Sequence, residues 1–493
     1  MLFLNSSIRQ NNFRQVLLTT LSSYTFKRRN TIFALSSGQG KCGVAVIRVS
    51  GPEAGTALKK LTAAQCLPRP RTAVLREIVN PIDKEILDKA LVLWFPGPKS
   101  FTGENSCEFQ VHGGHAVVNS VLSALQCTGL RPAEAGEFTK RAFLNGKLDL
   151  TEVEGLADLI AAETEFQRKQ AYLQSEGILS NMYNSWRDIL IKSLAHVEAH
   201  IDFEETEEFD EQILQNIFAD IRKLKAEISR HLEDGCKGER LRNGVKAVII
   251  GETNAGKSSF FNILCKKPAS IVTPIEGTTR DVIEINVDIN GYPVILTDTA
   301  GLRSETKDIV EQEGIQRAIF QINQADLLIY MVDIEKLLNS GCKTVKEYID
   351  RINEFKIKHS HSKETIIILN KIDLIHKRKD RMSDLLDKEN CLLVSCKDKD
   401  GFSAVTNKLT EKLRSLCLNP NKEHPSMTHI RHRKHLTDCL TFLENFEEEI
   451  NTAHVVLFAE NLRQAVYHLG QLTGRVTNEQ ILDIIFKDFC IGK

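Results

Sequence analysis

The first 52 positions of this 493-residue chain contain no aspartate or glutamate. They carry Arg9, Arg14, Lys27, Arg28 and Arg29 among Ser, Thr and Asn, with scattered Leu, Val and Phe. A basic, acid-free stretch able to form an amphipathic helix has the make-up of a mitochondrial transit peptide. The expectation is a targeting segment over residues 1–30, a mature start near Arg29 to Ala34, and a matrix enzyme; a merely disordered basic tail is the other reading. Apolar runs of 18 residues are also missing, which argues against a membrane span. The 12 cysteines include no Cys-x-x-Cys, and only Cys391 and Cys396 lie close together. That argues against structural zinc and against a disulfide scaffold, and for buried thiols in a reducing compartment. Charge bias is absent too: 64 basic against 65 acidic side chains leave a formal charge of −1, so any RNA contact must come from local patches.

What is present begins with four motifs in the order a guanine-nucleotide fold requires. They are Gly251-Glu-Thr-Asn-Ala-Gly-Lys-Ser258, Gly277-Thr-Thr-Arg-Asp281, Asp298-Thr-Ala-Gly301 and Asn370-Lys-Ile-Asp373. The first follows the apolar run Ala247–Ile250, which reads as a buried strand, and precedes a helical stretch from Ser259 to Leu264. Strand, glycine-bearing loop and helix N-terminus together make a phosphate cradle. Asn254, Ala255, Gly256, Lys257, Ser258 and Ser259 form its wall, with Lys257 for the β- and γ-phosphates and Ser258 for Mg²⁺. Thr278 and Thr279 sit in a loop able to order and disorder, and Thr279 is the natural second hydroxyl ligand of Mg²⁺. Asp298, Thr299, Ala300 and Gly301 follow an apolar strand; Asp298 can reach the Mg²⁺ shell through water and Gly301 can offer its N–H to the γ-phosphate. Asn370, Lys371 and Asp373 read the base, and Asp373 can accept both donors of guanine, a pair adenine lacks. Ser395, Cys396 and Lys397 either back the base with main-chain N–H groups or simply end a strand. The motif set predicts GTP binding.

Two departures from a Ras-like pattern bear on mechanism. Leu302 stands where a water-orienting glutamine would follow Asp298-Thr-Ala-Gly301, so another residue must position water or hydrolysis will be very slow. Asn254 could ligate a monovalent cation such as K⁺ beside the phosphates, or could merely tolerate a tight loop backbone.

Around this block the chain is α/β and then helical. With 42% hydrophobic and 26% charged residues it can divide a large core over about three domains. Strands Val44–Val49, Ala90–Phe95 and Ser106–Val111, with a helix over Ala116–Leu125, predict a compact α/β domain over residues 31–150. Residues 151–242 read as helix, with Leu179, Met182, Trp186, Leu190, Leu194, Val197 and Ile201 on one face. The acidic run Glu204–Glu211 reads as a solvated connector or a partner-docking patch. The GTPase block spans 243–417, and helical periodicity resumes over 418–493. One helical domain with a P-loop, Ras-like GTPase inserted into it is the economical picture.

The chain resembles the MnmE, or TrmE, family of tRNA-modifying GTPases in its mitochondrial form. The likeness covers almost everything after residue 30. It is carried by Gly43–Gly51, Ser100-Phe-Thr-Gly-Glu104, His112-Gly-Gly114, Gly136–Leu150, Ile201-Asp-Phe-Glu204, the GTPase motifs, Arg431-His-Arg433 and the terminal Cys490-Ile-Gly-Lys493. The resemblance implies an N-terminal domain binding a one-carbon tetrahydrofolate derivative, a helical middle, and an inserted GTPase whose copies approach in a homodimer. It implies an FAD-containing MnmG-type partner and modification of C5 of the wobble uridine of certain mitochondrial tRNAs. Carried over residue by residue, folate contacts fall on Arg48, Glu108, Lys147 and Lys493. The water-orienting role falls on Glu311, with Glu313 as rival, and K⁺ ligands on Asn254, Thr273, Ile275 (main chain) and Thr278. Glu204 stands where the family usually has proline, which questions only the connector there.

Cys490 differs from the other cysteines by lying in a short tail beside Gly492 and Lys493. The resemblance makes it a catalytic or substrate-positioning thiol, and a flexible, cation-flanked thiol suits that role; a docking tail with an incidental sulfur is the alternative. Lys140 and Arg141, or Arg431-His-Arg433, are candidates for RNA contact, with plain helix-surface charge as the other reading. A GTPase switch in mitochondrial ribosome or RNA assembly, and an interaction scaffold, are the competing functions. The first is disfavoured because no KH-type module is evident.

Overall fold

The computed structural model describes residues 30–38, 40–203, 211–233, 236–265, 284–298, 320–342, 344–352, 363–375, 391–417, 419–421, 425–449, 455–476, 482, 485–487 and 489–493. The chain forms two compact units. One comprises residues up to Ala157 together with Gly474–Lys493, and the other Asp158–Thr473.

The first unit is built on six strands: β1 (Ile32–Leu35), β2 (Cys42–Ser50), β3 (Val74–Val79), β4 (Ile86–Phe95), β5 (Ser106–Gly113) and β6 (Arg131–Pro132). Their order is β3-β4-β5-β2-β1-β6, antiparallel except for the parallel β1–β6 pair. The period of two along a strand sorts the side chains. Ala45, Ile47 and Val49 are buried with Phe109 and Val111 against helices α1 (Ala54–Leu61) and α2 (His115–Cys127). Arg48 and Glu108 therefore occupy the opposite face, directly across from one another. Helix α3 (Glu137–Leu144) follows, and α4 (Leu150–Ala161) opens a second small core, where Leu150 and Val153 pack with Leu482, Phe486 and Phe489. Burial of those three C-terminal side chains joins residues from Gly474 onward to the compact unit that contains α3 and the start of α4.

In the second unit, α5 (Glu165–Ser175), α6 (Ile178–Phe203), α7 (Glu211–Leu232) and α8 (Lys237–Asn243) precede the nucleotide block. Helices α13 (Ile430–Glu449) and α14 (Val455–Thr473) follow it. Leu179, Tyr183, Trp186 and Leu190 of α6 share one core with Ile221 and Leu224 of α7, Leu436 and Leu443 of α13, and Leu462 and Leu469 of α14. Helices from both sides of the block thus bury each other's apolar stripes, as amphipathic helices must. His231 lies in this core, its ring 6.0 Å from that of Tyr183 and 5.6 Å from that of Trp186. Burial, then the charges of His432 and Arg433, push His231 down to about 4. The folded state thus disfavours a proton that the unfolded chain takes up near pH 6.5, so this contribution is complete above that pH and is lost as pH falls towards 4. The loss is on the order of 3 kcal/mol. The melting temperature should drop between pH 7 and 5, and His231→Phe should flatten that slope; an unchanged slope would remove His231 from the account.

The block itself holds β7 (Val245–Gly251), α9 (Lys257–Cys265), β8 (Glu284–Ile289), β9 (Tyr292–Asp298), β10 (Leu327–Asp333), α10 (Ile334–Asn339), α11 (Val345–Ile352), β11 (Glu364–Asn370), β12 (Cys391–Val394) and α12 (Phe402–Leu416). The strand order is β12-β11-β10-β7-β9-β8, parallel except for β8. Ala247 and Ile249 pack with Phe260 and Leu409 on one side, and Val248 and Ile250 with Tyr348 and Ile349 on the other. Burial on both faces is why this stretch reads as an unbroken apolar run. Strand β7 lies between β10 and β9, where the winding reverses, and its carboxyl end opens the crevice in which such sheets bind ligands.

Candidate functional site

The phosphate loop leaves β7 at Gly251 and enters α9 at Lys257. Gly256 has φ 99°, and a Cβ there would stand 2.1 Å from Nδ2 of Asn370. Only glycine lets the loop lie this close to the end of β11. The Lys257 ammonium curls over the loop and donates to the carbonyls of Gly251 (2.9 Å) and Glu252 (2.7 Å). Asn254, Ser258 and Ser259 are exposed at the loop, and Ala255 is buried beneath it. Asn254 has φ 64°, a left-handed conformation that asparagine tolerates; its exposed amide is compatible with ligating an ion as well. Sequence reading missed how the loop is anchored. Oε2 of Glu252 accepts from Lys336 of α10 at 2.9 Å, and Oε1 accepts from the Tyr348 hydroxyl of α11. No local pattern marks that contact, because the partners lie 84 and 96 positions away.

The base-reading motif closes the other side of the crevice. Asn370 donates through Nδ2 to the Ala255 carbonyl (2.8 Å) and accepts through Oδ1 from the Cys396 N–H (3.1 Å). Asn370 is thus a staple between the phosphate loop and the Ser395–Lys397 turn. The Ser395 hydroxyl donates to Oδ1 of Asp373 at 2.8 Å, orienting that carboxylate. Ser395 and Cys396 thus brace the two residues of the base-reading motif, Asp373 and Asn370. Burial pushes the Cys396 thiol up to about 11, so it is inert there. Lys371, at φ 72°, sends its ammonium to the buried Asp333 carboxylate (2.6 Å), whose strand pairs Asp333 with Asn370. Asp298 ends β9 and is buried. Thr273, Ile275, Thr278, Thr279, Thr299, Ala300, Gly301, Glu311 and Glu313 lie outside the described residues.

In the first unit, Arg48 Nε and Glu108 Oε1 form an ion pair of 3.0 Å, each about one-fifth exposed (20% and 19%). The Arg48 guanidinium also lies 5.2 Å from the Phe101 ring centre and 5.8 Å from that of Phe138. Phe101 is exposed whereas Phe138 is fully buried, so the pair is backed by the core on one side and open on the other. Lys147 is exposed, with its side chain beside Gly103. The tail that ends in Lys493 docks on this same unit. The Cys490 carbonyl accepts from Gly136 N–H at 3.5 Å, Ile491 bridges to Ala135, and Ser36 donates its hydroxyl to the Gly492 carbonyl at 2.9 Å. The flexible tail expected around Cys490 is instead held by its main chain, while the residue itself stays exposed.

Arg141 and the Arg431-His-Arg433 cluster, both candidates for RNA contact, are engaged inside the fold. Arg141 is 5% exposed and joins Glu104 (2.9 Å) and Glu137 (3.0 Å) inside the fold. Arg431 caps the end of α14 by donating to the carbonyls of Gln471 (2.7 Å) and Leu472 (3.1 Å), His432 is fully buried, and Arg433 pairs with Glu239 at 2.8 Å. A buried or internally paired cation is not available to phosphate.

The sheet order, a phosphate loop at the switch point and an Asn-Lys-x-Asp strand end stapled to it define a P-loop GTPase. Two family profiles match, "GTP-binding protein TrmE N-terminus" over residues 31–147 and "MnmE helical domain" over 150–490. The chain is 48% identical over 486 residues to a Danio rerio protein named mitochondrial 5-taurinomethyluridine-tRNA synthase subunit GTPB3, covering 97% of this chain and 96% of that one. It is 50% identical to the Homo sapiens protein of the same name, over 94% and 93%. It is 43% identical to the tRNA modification GTPase MnmE of Rickettsia bellii, over 94% of this chain and 100% of that one. The chain belongs to the MnmE/TrmE family of GTPases.

Proposed function

We propose that this GTPase acts in the mitochondrial matrix with an FAD-containing MnmG-type partner to modify C5 of uridine 34, the wobble position, of certain mitochondrial tRNAs. The added group is of aminomethyl type, and the names of the two vertebrate relatives favour taurinomethyl over carboxymethylaminomethyl. One observation carries the reading: a single chain joins a guanine-nucleotide crevice to a second compact unit that contains both the Arg48–Glu108 pair and the docked Cys490–Lys493 tail. In this reading Glu108 accepts from the aminopyrimidine edge of a one-carbon tetrahydrofolate, which supplies the carbon. Arg48, ion-paired to Glu108, contacts that same end, and Lys147 and Lys493 hold the anionic end. Cys490 supplies a thiol to the uridine chemistry. In the nucleotide crevice Ser258 and Thr279 ligate Mg²⁺, and Glu311 orients the attacking water that Leu302 cannot. Nucleoside mass analysis of mitochondrial tRNA from cells lacking the protein tests this. Loss of a C5-modified wobble uridine is expected; intact tRNA with defective ribosomes would favour an assembly switch.

Asn254, Thr273, the Ile275 carbonyl and Thr278 hold K⁺ in this scheme, and a second copy completes the site. GTP hydrolysis should therefore be faster in K⁺ than in Na⁺ and should rise with protein concentration. An arginine finger is worth roughly 10³-fold or more, and the ion stands in for one. Equal initial rates in the two salts would remove the cation from the mechanism.

A further inference from the structure

His435 and Asp438 lie three positions apart on α13, and His468 faces them from α14. We propose that these three side chains form a binding site for a divalent transition-metal ion of the Zn²⁺ class, separate from the nucleotide crevice. The two Nδ1 atoms are 3.3 Å apart, and His468 Nδ1 lies 3.7 Å from Asp438 Oδ2. All three ligand atoms fall within 4.8 Å of one another. Bonds of about 2.0–2.1 Å at tetrahedral angles put ligand atoms roughly 3.3–3.4 Å apart, so one ion reaches both rings and Asp438 closes with a small side-chain adjustment. Without an ion the two rings share an N–H···N hydrogen bond at this separation, which the ion would replace.

The surroundings hold this geometry. Phe442 stacks on the His468 ring at 5.6 Å and 23°, and Tyr467 meets it edge-on at 5.5 Å. Leu436, Cys439 and Leu469 are buried in the core beneath, so α13 and α14 are fixed before any ion arrives. His468 is 16% and Asp438 39% exposed, which leaves a path for the ion and a coordination position for water or another ligand. The nearest cations are Arg431, tied to two carbonyls of α14, and the exposed Lys434. Two imidazoles and one carboxylate suit Zn²⁺, Co²⁺ or Ni²⁺ over Mg²⁺, whereas the hydroxyl and carboxylate oxygens proposed for the nucleotide crevice suit Mg²⁺. Scattered cysteines gave no hint of a metal here, because the ligands are histidine and aspartate joined across two helices.

The test is a Co²⁺ titration of the full chain with GDP and Mg²⁺ saturating the crevice. One equivalent should give visible d–d bands without the near-ultraviolet sulfur-to-cobalt band of a cysteine ligand, and Zn²⁺ should displace it. Zn²⁺ alone should raise the melting temperature, as any ligand of the folded state does. His468→Gln should abolish the bands, and the milder Asp438→Asn, at a half-exposed position, should weaken Co²⁺ binding by about tenfold or more. Both variants should bind GDP normally. Absent bands in the native chain, or bands and stoichiometry unchanged in both variants, would overturn the site.

Discussion

Asp373→Asn is expected to turn the chain from GTP to xanthosine triphosphate, with the ratio of affinities changing by about 10³-fold or more. The Asp373 carboxylate is aimed by the Ser395 hydroxyl at 2.8 Å, and the same turn is stapled through Cys396 to Asn370 and so to the phosphate loop. An asparagine side-chain oxygen still accepts from Ser395, so the turn survives the change. Its other end becomes an N–H donor, which meets a donor on guanine and a carbonyl on xanthine. Competition of the two triphosphates against a fluorescent GDP, with the melting temperature as a folding control, reads the outcome. Unchanged GTP affinity would mean that the base is recognised elsewhere.

Cys490→Ser should separate the two chemistries of the proposed function. Wobble-uridine modification is expected to fall by about 10²-fold or more, as for loss of a side chain that takes part in the reaction. GTP hydrolysis should stay near its native rate, since Cys490 belongs to the other compact unit. The structure sharpens this test because the tail docks through its main chain. Cys490 is bonded by its carbonyl to Gly136, and Gly492 by its carbonyl to Ser36. Gly492 has φ 98°, and a Cβ there would stand 2.1 Å from the Leu35 carbonyl. Serine keeps that docking and cannot ionise near neutral pH; Gly492→Ala keeps the thiol and breaks the docking. A serine variant that modifies tRNA normally, beside an alanine variant that does not, would make the tail a docking element with an incidental sulfur.

The legible parts of this chain share one property: their residues are contiguous. The phosphate loop could be read from Gly251 to Ser258 because a cradle of successive backbone N–H groups needs glycine, lysine and hydroxyl at fixed local offsets. Strand β7 could be read because both of its faces are buried, and α6 because its apolar residues repeat at helical spacing. The same local logic failed at Arg141 and Arg431. A cation on a helix looks solvated until its partner, Glu104 in one case and the end of α14 in the other, is brought beside it.

The nucleotide chemistry was thus written in the order of residues, and so was the family likeness. Packing decided the rest. It bound Ser395 to Asp373 across 22 positions, tied Glu252 to Tyr348 across 96, and seated Gly492 on Ser36 across 456. It also put helices from both sides of the nucleotide block into one core and set His435, Asp438 and His468 around a common point. Such contacts depend on which buried faces meet, and burial is a property of the folded chain rather than of any window of sequence.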